Sequence, residues 1–409
     1  MVFSTKADLV AHRPISEKML INSWKYRDSF EKSIAAMSKV GFKYVNIGTW
    51  FNLTKCDGDP VFDNEIEKTQ VALDICKKYG MKPMLNFGGQ NNGYLNTKTW
   101  CNFNQNQLEK IKQYFSKFVQ TFSNQGIIWA NLNEPDNVYW APFNQRHNPR
   151  VISSWVNFSK WFIDETFKFD KEALNAPYSC ITSVADEGSD ITRQAIQQGL
   201  FRRALGGISH PYVFQNHNNG QPEIMLELHE GTVAGLPLVS NEYGYPRANL
   251  TGDHDQGYFS MAEAAKYTAR QTIIQDYLGF SIIGIYCDLG NSYSIENDDG
   301  SLNLVGKMTM DLVDELNGYT IQEKIEVESH DNVYDDIYIF RYSKKGFVDK
   351  IVYWAPEKVG LRQLSVNNKI IKLNITDYPQ VVDYDGVPNP KEYFMPIKSN
   401  TSLGTEVVY

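Results

Sequence analysis

Short apolar runs alternate with amphipathic stretches along residues 19–320. The clearest amphipathic stretch is 107–122, where Leu108, Ile111 and Phe115 begin a series spaced by three and four residues, typical of a helix that faces a core. The same reasoning predicts eight strands, each followed by a helix. The strands are predicted at 19–24, 42–51, 81–87, 127–132, 179–184, 207–213, 236–240 and 281–287, and the helices at 29–40, 64–79, 107–122, 151–167, 191–205, 222–233, 261–278 and 308–316.

Eight successive strand–helix units predict a parallel sheet, and their number matches a (β/α)₈ barrel. The rival fold is a doubly wound open sheet, which usually carries a glycine-rich phosphate-binding turn. The sequence contains neither G-x-G-x-x-G nor G-x-x-x-x-G-K-S/T. We therefore predict an α/β fold, a (β/α)₈ TIM barrel, over residues 1–320.

Beyond residue 320 apolar and polar residues alternate, which is the pattern of β-strands. Alternating segments at 324–328, 333–342, 348–354, 369–375 and 381–384 are separated by Lys-Lys-Gly, Asn-Asn and Asp-Gly turn signals. We predict that residues 321–409 form a small antiparallel, β-sandwich-like accessory domain. Packing against the barrel is favoured over an independent role in sugar binding.

Composition excludes several classes of protein. The 409 residues are 42% hydrophobic and 22% charged, as in an ordinary globular protein, and the net charge of −8 argues against nucleic acid as a partner. Five widely spaced cysteines fit neither a disulfide framework nor a zinc site, and no apolar run is long enough to span a membrane. The first residues lack the apolar region of a signal peptide, so either the protein is cytoplasmic or a leader has been removed from a secreted or cell-surface protein. The sequence leaves location and oligomeric state open.

Candidate chemistry lies at the carboxyl ends of the predicted strands, where barrel active sites form. The fourth strand ends in Asn-Leu-Asn-Glu-Pro, which includes Glu134, and the seventh ends in Ser-Asn-Glu-Tyr-Gly, which includes Glu242. Two such carboxyl groups can cleave an acetal, because one protonates the departing oxygen while the other attacks the anomeric carbon or activates water.

The order of these motifs resembles the clan of retaining (β/α)₈ glycoside hydrolases, and most closely glycoside hydrolase family 39 and related bacterial exopolysaccharide-cleaving glycosidases. The resemblance covers roughly residues 19–310, including Gly-Ile-Ser-His-Pro-Tyr at the sixth strand. It implies that Glu134 is the acid/base and Glu242 the nucleophile. A retaining enzyme would hold the two carboxyl groups ~5 to 6 Å apart.

The resemblance also implies substrate contacts near these glutamates. Asn133 matches the residue that hydrogen-bonds the sugar 2-hydroxyl, and His210 with Tyr212 matches a pair that orients the nucleophile. The remaining candidates are aromatic residues that could stack on sugar rings: Trp24, Trp50, Tyr94, Trp140 and Tyr286. The sequence departs from the family at the eighth strand, where Leu289 stands about where relatives carry a Trp.

The sequence therefore predicts a retaining β-glycoside hydrolase without metal or cofactor, acting on a β-linked oligo- or polysaccharide in polysaccharide degradation. No H-E-x-x-H or H-x-H motif is present, and the acidic segment 296–300 lacks a complete calcium-binding loop, so a solvated turn is favoured there. The alternative is a catalytically inactive barrel that binds carbohydrate, which the missing Trp at the eighth strand favours. Sugar identity, linkage and endo or exo action are not specified by the sequence.

Overall fold

A computed structural model of the chain describes residues 6–53, 60–61, 65–90, 104–135, 143–171, 173–177, 187–200, 202, 204–216, 218–228, 232–233, 236–252, 254–326, 337–357, 359–366, 369–384 and 388–389. The strands of the first part of the chain are β1 (Met19–Ser23), β2 (Tyr44–Leu53), β3 (Pro60–Val61), β4 (Lys82–Gln90), β5 (Ile128–Asn131), β6 (Leu174–Pro177), β7 (Gly207–Ser209), β8 (Thr232–Val233), β9 (Leu236–Ser240) and β10 (Ile282–Ile285). The helices are α1 (Phe30–Lys39), α2 (Glu65–Lys78), α3 (Gln105–Phe122), α4 (Pro149–Phe169), α5 (Glu187–Gln197), α6 (Ile224–Leu228), α7 (Met261–Tyr277) and α8 (Leu304–Glu315).

Eight of these strands form one parallel sheet in the order β6-β5-β4-β2-β1-β10-β9-β7. The two end strands, β6 and β7, lie beside each other, although no ladder joins them within the described residues. The sheet is thus a nearly closed barrel, with helices between consecutive strands. This confirms the predicted (β/α)₈ fold.

Sequence features at the helix ends explain where several helices begin. The side chain of Asn104 accepts from the backbone N–H of Gln107, and the Gln107 side chain accepts from the Asn104 N–H, so α3 begins at a capping box. Ser260 and Glu263 form the same arrangement at the start of α7. These caps satisfy N–H groups that have no partner within the helix.

The interior of the barrel changes from apolar to polar toward the carboxyl ends of the strands. Its lower part is filled by side chains that point inward from the strands and by Leu9, the last residue of a short 3-10 helix (Lys6–Leu9). This cluster contains Leu9, Leu20, Tyr44, Met84, Ile128, Ala130, Ile208, Val239 and Ile282. Because strand side chains alternate between faces, the residues two positions further on also point inward. They are mostly polar: Asn22, Asn46, Asn86, His210 and Asn241.

The C-terminal part of the chain folds into antiparallel sheets, as predicted. The strands are β11 (Thr320–Lys324), β12 (Tyr338–Ser343), β13 (Asp349–Trp354), β14 (Gly360–Val366), β15 (Lys369–Ile375), β16 (Gln380–Tyr384) and β17 (Pro388–Asn389). Five of them form a sheet in the order β11-β12-β13-β16-β17, and β14 pairs with β15. A division of the chain after residue 320 stays a prediction, because the sheet and the barrel have a continuous apolar core.

The contact between the sheet and the barrel includes buried polar bonds. Trp354, at the end of β13, donates from its indole N–H to Oε1 of Glu223 over 2.7 Å, and Arg270 of α7 lies 3.4 Å from the same oxygen. Asp276 of α7 accepts from Lys18 at 2.6 Å and from the Tyr342 hydroxyl at 2.9 Å. Buried charges are stable only when they are paired in this way.

Several predicted boundaries differ from the structure. The predicted helix 222–233 is wrong at its end, because Thr232 and Val233 form β8, antiparallel to β9. Both side chains are β-branched and favour strands. The predicted strand 179–184 lies outside the described residues, and the strand that pairs with β5 is Leu174–Pro177. The strand predicted at 324–328 begins earlier, at Thr320 in β11, and β14 was not predicted.

Trp354 provides a test of how firmly the sheet packs on the barrel. Its side chain is fully buried and stacks on Phe340 at 5.3 Å between ring centroids. We expect Trp354→Ala to lower the free energy of unfolding by about 3–5 kcal/mol, as for other buried aromatic residues. Urea denaturation measures this. The control is Phe347→Ala, at a turn residue that is 62% exposed, and it should change the value by less than about 0.5 kcal/mol. A loss below about 1 kcal/mol for Trp354→Ala would contradict this description of the interface.

Candidate active site

The two glutamates lie at the mouth of the barrel, after strands β5 and β9, which are separated by β6 and β7. Glu134 follows β5 by three residues, and Glu242 follows β9 by two. In the first loop, Leu132 (φ 50°) and Glu134 (φ 40°) are in the left-handed region, which side chains with a Cβ rarely occupy. The strand alternation therefore ends at Asn131, and the turn directs Glu134 toward the same space as Glu242.

His210 lies between the two carboxyl groups. Its Nδ1 is hydrogen-bonded to Oε1 of Glu134 over 2.7 Å and lies 3.4 Å from Oε2 of Glu242. One carboxylate oxygen of each glutamate and a ring nitrogen of His210 all lie within 4.8 Å of one another. The His210 ring is fully buried, whereas each glutamate side chain is 15% exposed. The carboxyl groups therefore reach the mouth while the imidazole supports them from below.

The charge of His210 is set by two opposing effects. Burial alone would lower the pKa of the imidazole, but the carboxylates of Glu242 and Glu134 outweigh it and raise the pKa above its ordinary value. A protonated His210 would balance one of the two negative charges.

Glu242 receives further hydrogen bonds from the barrel wall. The Asn22 amide, from β1, donates to Oε1 over 2.9 Å, and the Tyr212 hydroxyl lies 3.4 Å from Oε2. Burial nevertheless raises the pKa of Glu242 to about 7, while His210, Asn22 and Tyr212 act in the opposite direction. Burial also raises the pKa of Tyr212, so that its hydroxyl stays protonated and can donate.

Three tyrosines continue the site toward the eighth strand of the barrel. The Tyr212 ring meets His210 edge-on at 6.1 Å and Tyr293 at 6.0 Å, and Tyr293 lies 5.4 Å from Tyr286. Tyr286 directly follows β10, so an aromatic residue does stand at the end of the eighth strand. Leu289 lies three residues further on, where its backbone N–H donates to the Asp288 side chain.

The other residues predicted to contact the substrate lie on several separate segments of the chain. Asn133 is half-buried, and its side chain accepts from the Asn86 amide at 3.4 Å. Trp24 is exposed at the end of β1, and Trp50 belongs to β2. Tyr94 and Trp140 lie outside the described residues. The substrate-binding roles assigned to these residues stay predictions.

Sequence reasoning missed the asparagines that point into the barrel mouth. Asn22, Asn46, Asn86 and Asn241 are all at least nine-tenths buried. Each stands two positions beyond an apolar residue of the lower interior. Continuing the strand alternation by two residues would therefore have predicted that these asparagines point inward. The contact of Asn22 with Glu242 could not be found this way, because it joins strands that are 220 positions apart in the sequence.

Glu134, His210 and Glu242 are also the one group of potential metal ligands within the described part of the chain. Ligand atoms on a tetrahedral ion at 2.0–2.1 Å stand roughly 3.3 Å apart. The 2.7 Å between His210 and Glu134 is shorter than this and is the length of a charge-assisted hydrogen bond.

In the segment 296–300, Asp299 accepts from Ser301, as in a solvated turn.

The raised pKa of Glu242 predicts a stability effect with a defined sign. Between pH 4.5 and about 7 the folded protein holds a proton that the unfolded chain has lost, so ionisation of Glu242 destabilises the fold as the pH rises. We expect Glu242→Gln to match the wild type near pH 4 and to be more stable at pH 8, by at most about 3 kcal/mol. Urea denaturation at several pH values measures the difference.

Glu31→Gln is the control for this measurement. Hydrogen bonds from Lys78 and Tyr79 lower the pKa of the exposed Glu31 carboxyl, so its replacement should give no gain in stability as the pH rises. A gain in stability for Glu242→Gln that is the same at pH 4 and pH 8 would contradict the raised pKa of Glu242.

Comparisons with known proteins bear on the fold. No protein-family model and no curated protein matches the chain. Similar solved structures include a family 39 glycoside hydrolase from the gut symbiont Bacteroides cellulosilyticus WH2, with a TM-score of 0.63 and 14% identity over 92% of this chain and 81% of that one. A family 5 xyloglucanase from Paenibacillus pabuli has a TM-score of 0.52 and 13% identity over 74% and 99% of the two chains.

A glycoside hydrolase family 5 enzyme from Prevotella bryantii B14 gives similar values, with a TM-score of 0.52 and 11% identity over 76% of this chain and 99% of that one. Identities this low show the fold alone. The resemblance found in the order of the sequence motifs is confirmed at that level: the chain is similar in structure to family 39 and family 5 glycoside hydrolases.

Proposed function

We propose that this protein is a retaining β-glycoside hydrolase that cleaves a β-linked oligo- or polysaccharide by double displacement. The observation that carries the proposal is the pair of carboxyl groups, Glu134 and Glu242, with oxygens within 4.8 Å of each other at the barrel mouth. Retaining glycosidases hold their carboxyl groups ~5 to 5.5 Å apart, whereas inverting enzymes leave ~6.5 to 9.5 Å for a water. The likeness in fold to glycoside hydrolases supports the same reaction class.

In the first step Glu242 attacks the anomeric carbon while Glu134 donates its proton to the glycosidic oxygen. The bond from the anomeric carbon to that oxygen breaks, and a covalent glycosyl ester forms on Glu242. Asn22 holds Oε1 of Glu242, and Tyr212 and His210 lie 3.4 Å from Oε2, so the attacking carboxylate is oriented through both of its oxygens. In the second step Glu134, now ionised, takes a proton from water, which attacks the ester and releases Glu242.

His210 has a defined place in this cycle. It lies beside both glutamates, whose carboxylates raise its pKa, and its protonated form would stabilise whichever carboxylate is ionised at a given step. When Glu134 loses its proton to the leaving group, Glu242 loses its charge to the ester, and the net charge around His210 stays the same. A buried imidazole between the carboxyl groups therefore suits a reaction in which negative charge passes from one glutamate to the other.

The two roles predict opposite results in variants. Glu242→Ala should abolish turnover on every substrate, because no covalent intermediate can form. Glu134→Ala should lose ~10²- to 10⁴-fold on natural glycosides, but little in the first step on an aryl glycoside whose leaving group needs no proton. The anomeric configuration of the product formed with added azide distinguishes the two roles. Glu134→Ala should give a β-glycosyl azide, and Glu242→Ala should give an α-glycosyl azide.

The reverse pattern of azide products would mean that the roles are exchanged. The alternative function, a barrel that binds sugar without turnover, predicts that the wild type binds members of a glycan panel but releases no product from any of them.

A second prediction concerns the pH dependence of the reaction. Glu242 must be ionised to attack, so kcat/KM should rise with pH through about 7. Asn22→Ala removes a donor to the ionised form, and we expect it to move this acid limb upward by about one pH unit. The control Asn297→Ala, in an exposed turn, should leave the limb in place. If Asn22→Ala lowers the rate equally at all pH values, Asn22 does not set the ionisation of Glu242.

A further inference from the structure

Helix α7 carries several polar residues that are buried beside the candidate active site. Gln271, Thr272 and Gln275 are all fully buried, although an amide side chain is rarely buried without a hydrogen-bond partner. Gln271 and Thr272 have such partners, and these lie on the two segments that carry His210 and Glu242. The hydrogen bonds of α7 therefore bear on the geometry of the site.

The amide of Gln271 joins two segments of the barrel mouth. Its Nε2 donates to the carbonyl of Pro211, and its Oε1 accepts from the hydroxyl of Tyr245 over 2.8 Å. Because a carbonyl can only accept, the amide has one orientation that satisfies both partners. Pro211 and Tyr245 are 60 and 26 positions away from Gln271 in the sequence. One buried side chain thus ties the loop after β7 to the loop after β9.

Pro211 stands between two residues that lie beside the candidate nucleophile. The N–H of Tyr212 donates to the carbonyl of His210 over 2.8 Å, so residues 210–212 form a γ-turn centred on Pro211, whose ring fixes a φ that suits this turn. His210 and Tyr212 each lie 3.4 Å from Oε2 of Glu242, while the Pro211 carbonyl faces α7. A bond to this carbonyl holds both side chains at once.

The segment that carries Glu242 is held by the same turn of α7. Tyr243 is the next residue, and its hydroxyl is hydrogen-bonded to that of Thr272. Tyr245 follows two positions later and reaches Gln271. Two neighbouring helix residues thus hold the tyrosines that follow the nucleophile.

We propose that Gln271 is a positioning residue that keeps His210 and Tyr212 against the nucleophile. It does so by joining Pro211 to Tyr245. The inference rests on the proposed function, in which a carboxylate oxygen must lie in line with the anomeric carbon, and a misplacement of about 1 Å can cost ~10²-fold in rate. Because Gln271 is buried and acts through its partners, its loss should lower kcat and leave KM nearly unchanged.

The charges at the site give this role a measurable sign. Burial has the largest effect on the pKa of both central groups, raising that of Glu242 and lowering that of His210. Each group opposes the effect of burial on the other. Glu134 acts together with Glu242 on the imidazole, and Asn22 and Tyr212 act together with His210 on the carboxyl group. If the loop after β7 moves away, the pKa of Glu242 should rise while the pKa of His210 falls.

The test compares Gln271→Leu with Gln275→Leu. Gln275 lies one turn further along α7 and is equally buried, but neither atom of its amide has a hydrogen-bond partner within the described part of the chain. The same substitution in the same helix therefore differs in the bonds that it removes. Both variants are assayed on the 4-nitrophenyl β-glycosides of glucose, xylose, mannose and galactose. NMR of isotope-labelled histidine follows the titration of the His210 ring, whose signal is assigned by its absence from His210→Gln.

Gln271→Leu should lower kcat about 10- to 100-fold on the glycoside that is cleaved fastest, with KM within about threefold of the wild type. The acid limb of kcat/KM should move upward and the titration of His210 downward, each by about 0.5 to 1 pH unit. Gln275→Leu should match the wild type in all of these measurements, because it removes no hydrogen bond to the site.

Tyr245→Phe is a second variant that keeps the aromatic ring and removes one of the two bonds of Gln271. We expect the same pattern with a smaller loss in kcat, about 3- to 10-fold. This variant carries the test if urea denaturation shows that Gln271→Leu does not fold.

The outcomes separate the positioning role from the proposed function. A kcat of Gln271→Leu within about threefold of the wild type, a loss in kcat without the two pH shifts, or an equal loss in Gln275→Leu would each overturn the positioning role alone. A wild type that cleaves nothing, either here or in the glycan panel, would overturn the proposed function. The titration of His210 needs no turnover, and it would then decide by itself whether Gln271 holds this ring against the carboxyl groups.

Discussion

Repulsion between two carboxyl groups is the constraint on which the rest of this site depends. Oxygens of Glu134 and Glu242 lie within 4.8 Å of each other and are only slightly exposed, so water screens them poorly. Unless one of them keeps a proton, both can be held there only if the protein supplies positive charge and hydrogen-bond donors. His210, Asn22 and Tyr212 supply them, from strands on different parts of the barrel wall.

This arrangement requires a closed and firmly packed barrel. The donors to Glu242 come from the first and sixth parallel strands, and a shift of one residue in either register would turn them to the other face. Apolar side chains fill the lower interior, and the C-terminal sheet covers α7 through Trp354 and the bonds around Glu223. Through these contacts with the wall, the sheet contributes to the site by stabilising the barrel.

Strand and helix order could be predicted because it follows from local periodicity, and the barrel follows from eight repeats. Glu134 and Glu242 could be located because strand ends converge in this fold. Contacts between distant segments could not be predicted. Nothing near Asn22 in the sequence indicates that it bonds Glu242. Nothing near Trp354 indicates that it bonds Glu223. The short β8 was missed because the preceding residues continue the helical pattern.

Formation of a glycosyl ester on Glu242 is the central claim, and trapping that ester tests it most directly. The reagent is a 2-deoxy-2-fluoro glycosyl fluoride of the sugar whose glycoside is cleaved fastest in a substrate panel; it slows both steps but keeps a good leaving group, so the ester accumulates. Mass spectrometry of the digested protein should place the added sugar on the peptide that contains Glu242. An adduct on the peptide that contains Glu134, or full turnover with no adduct at all, would contradict the account.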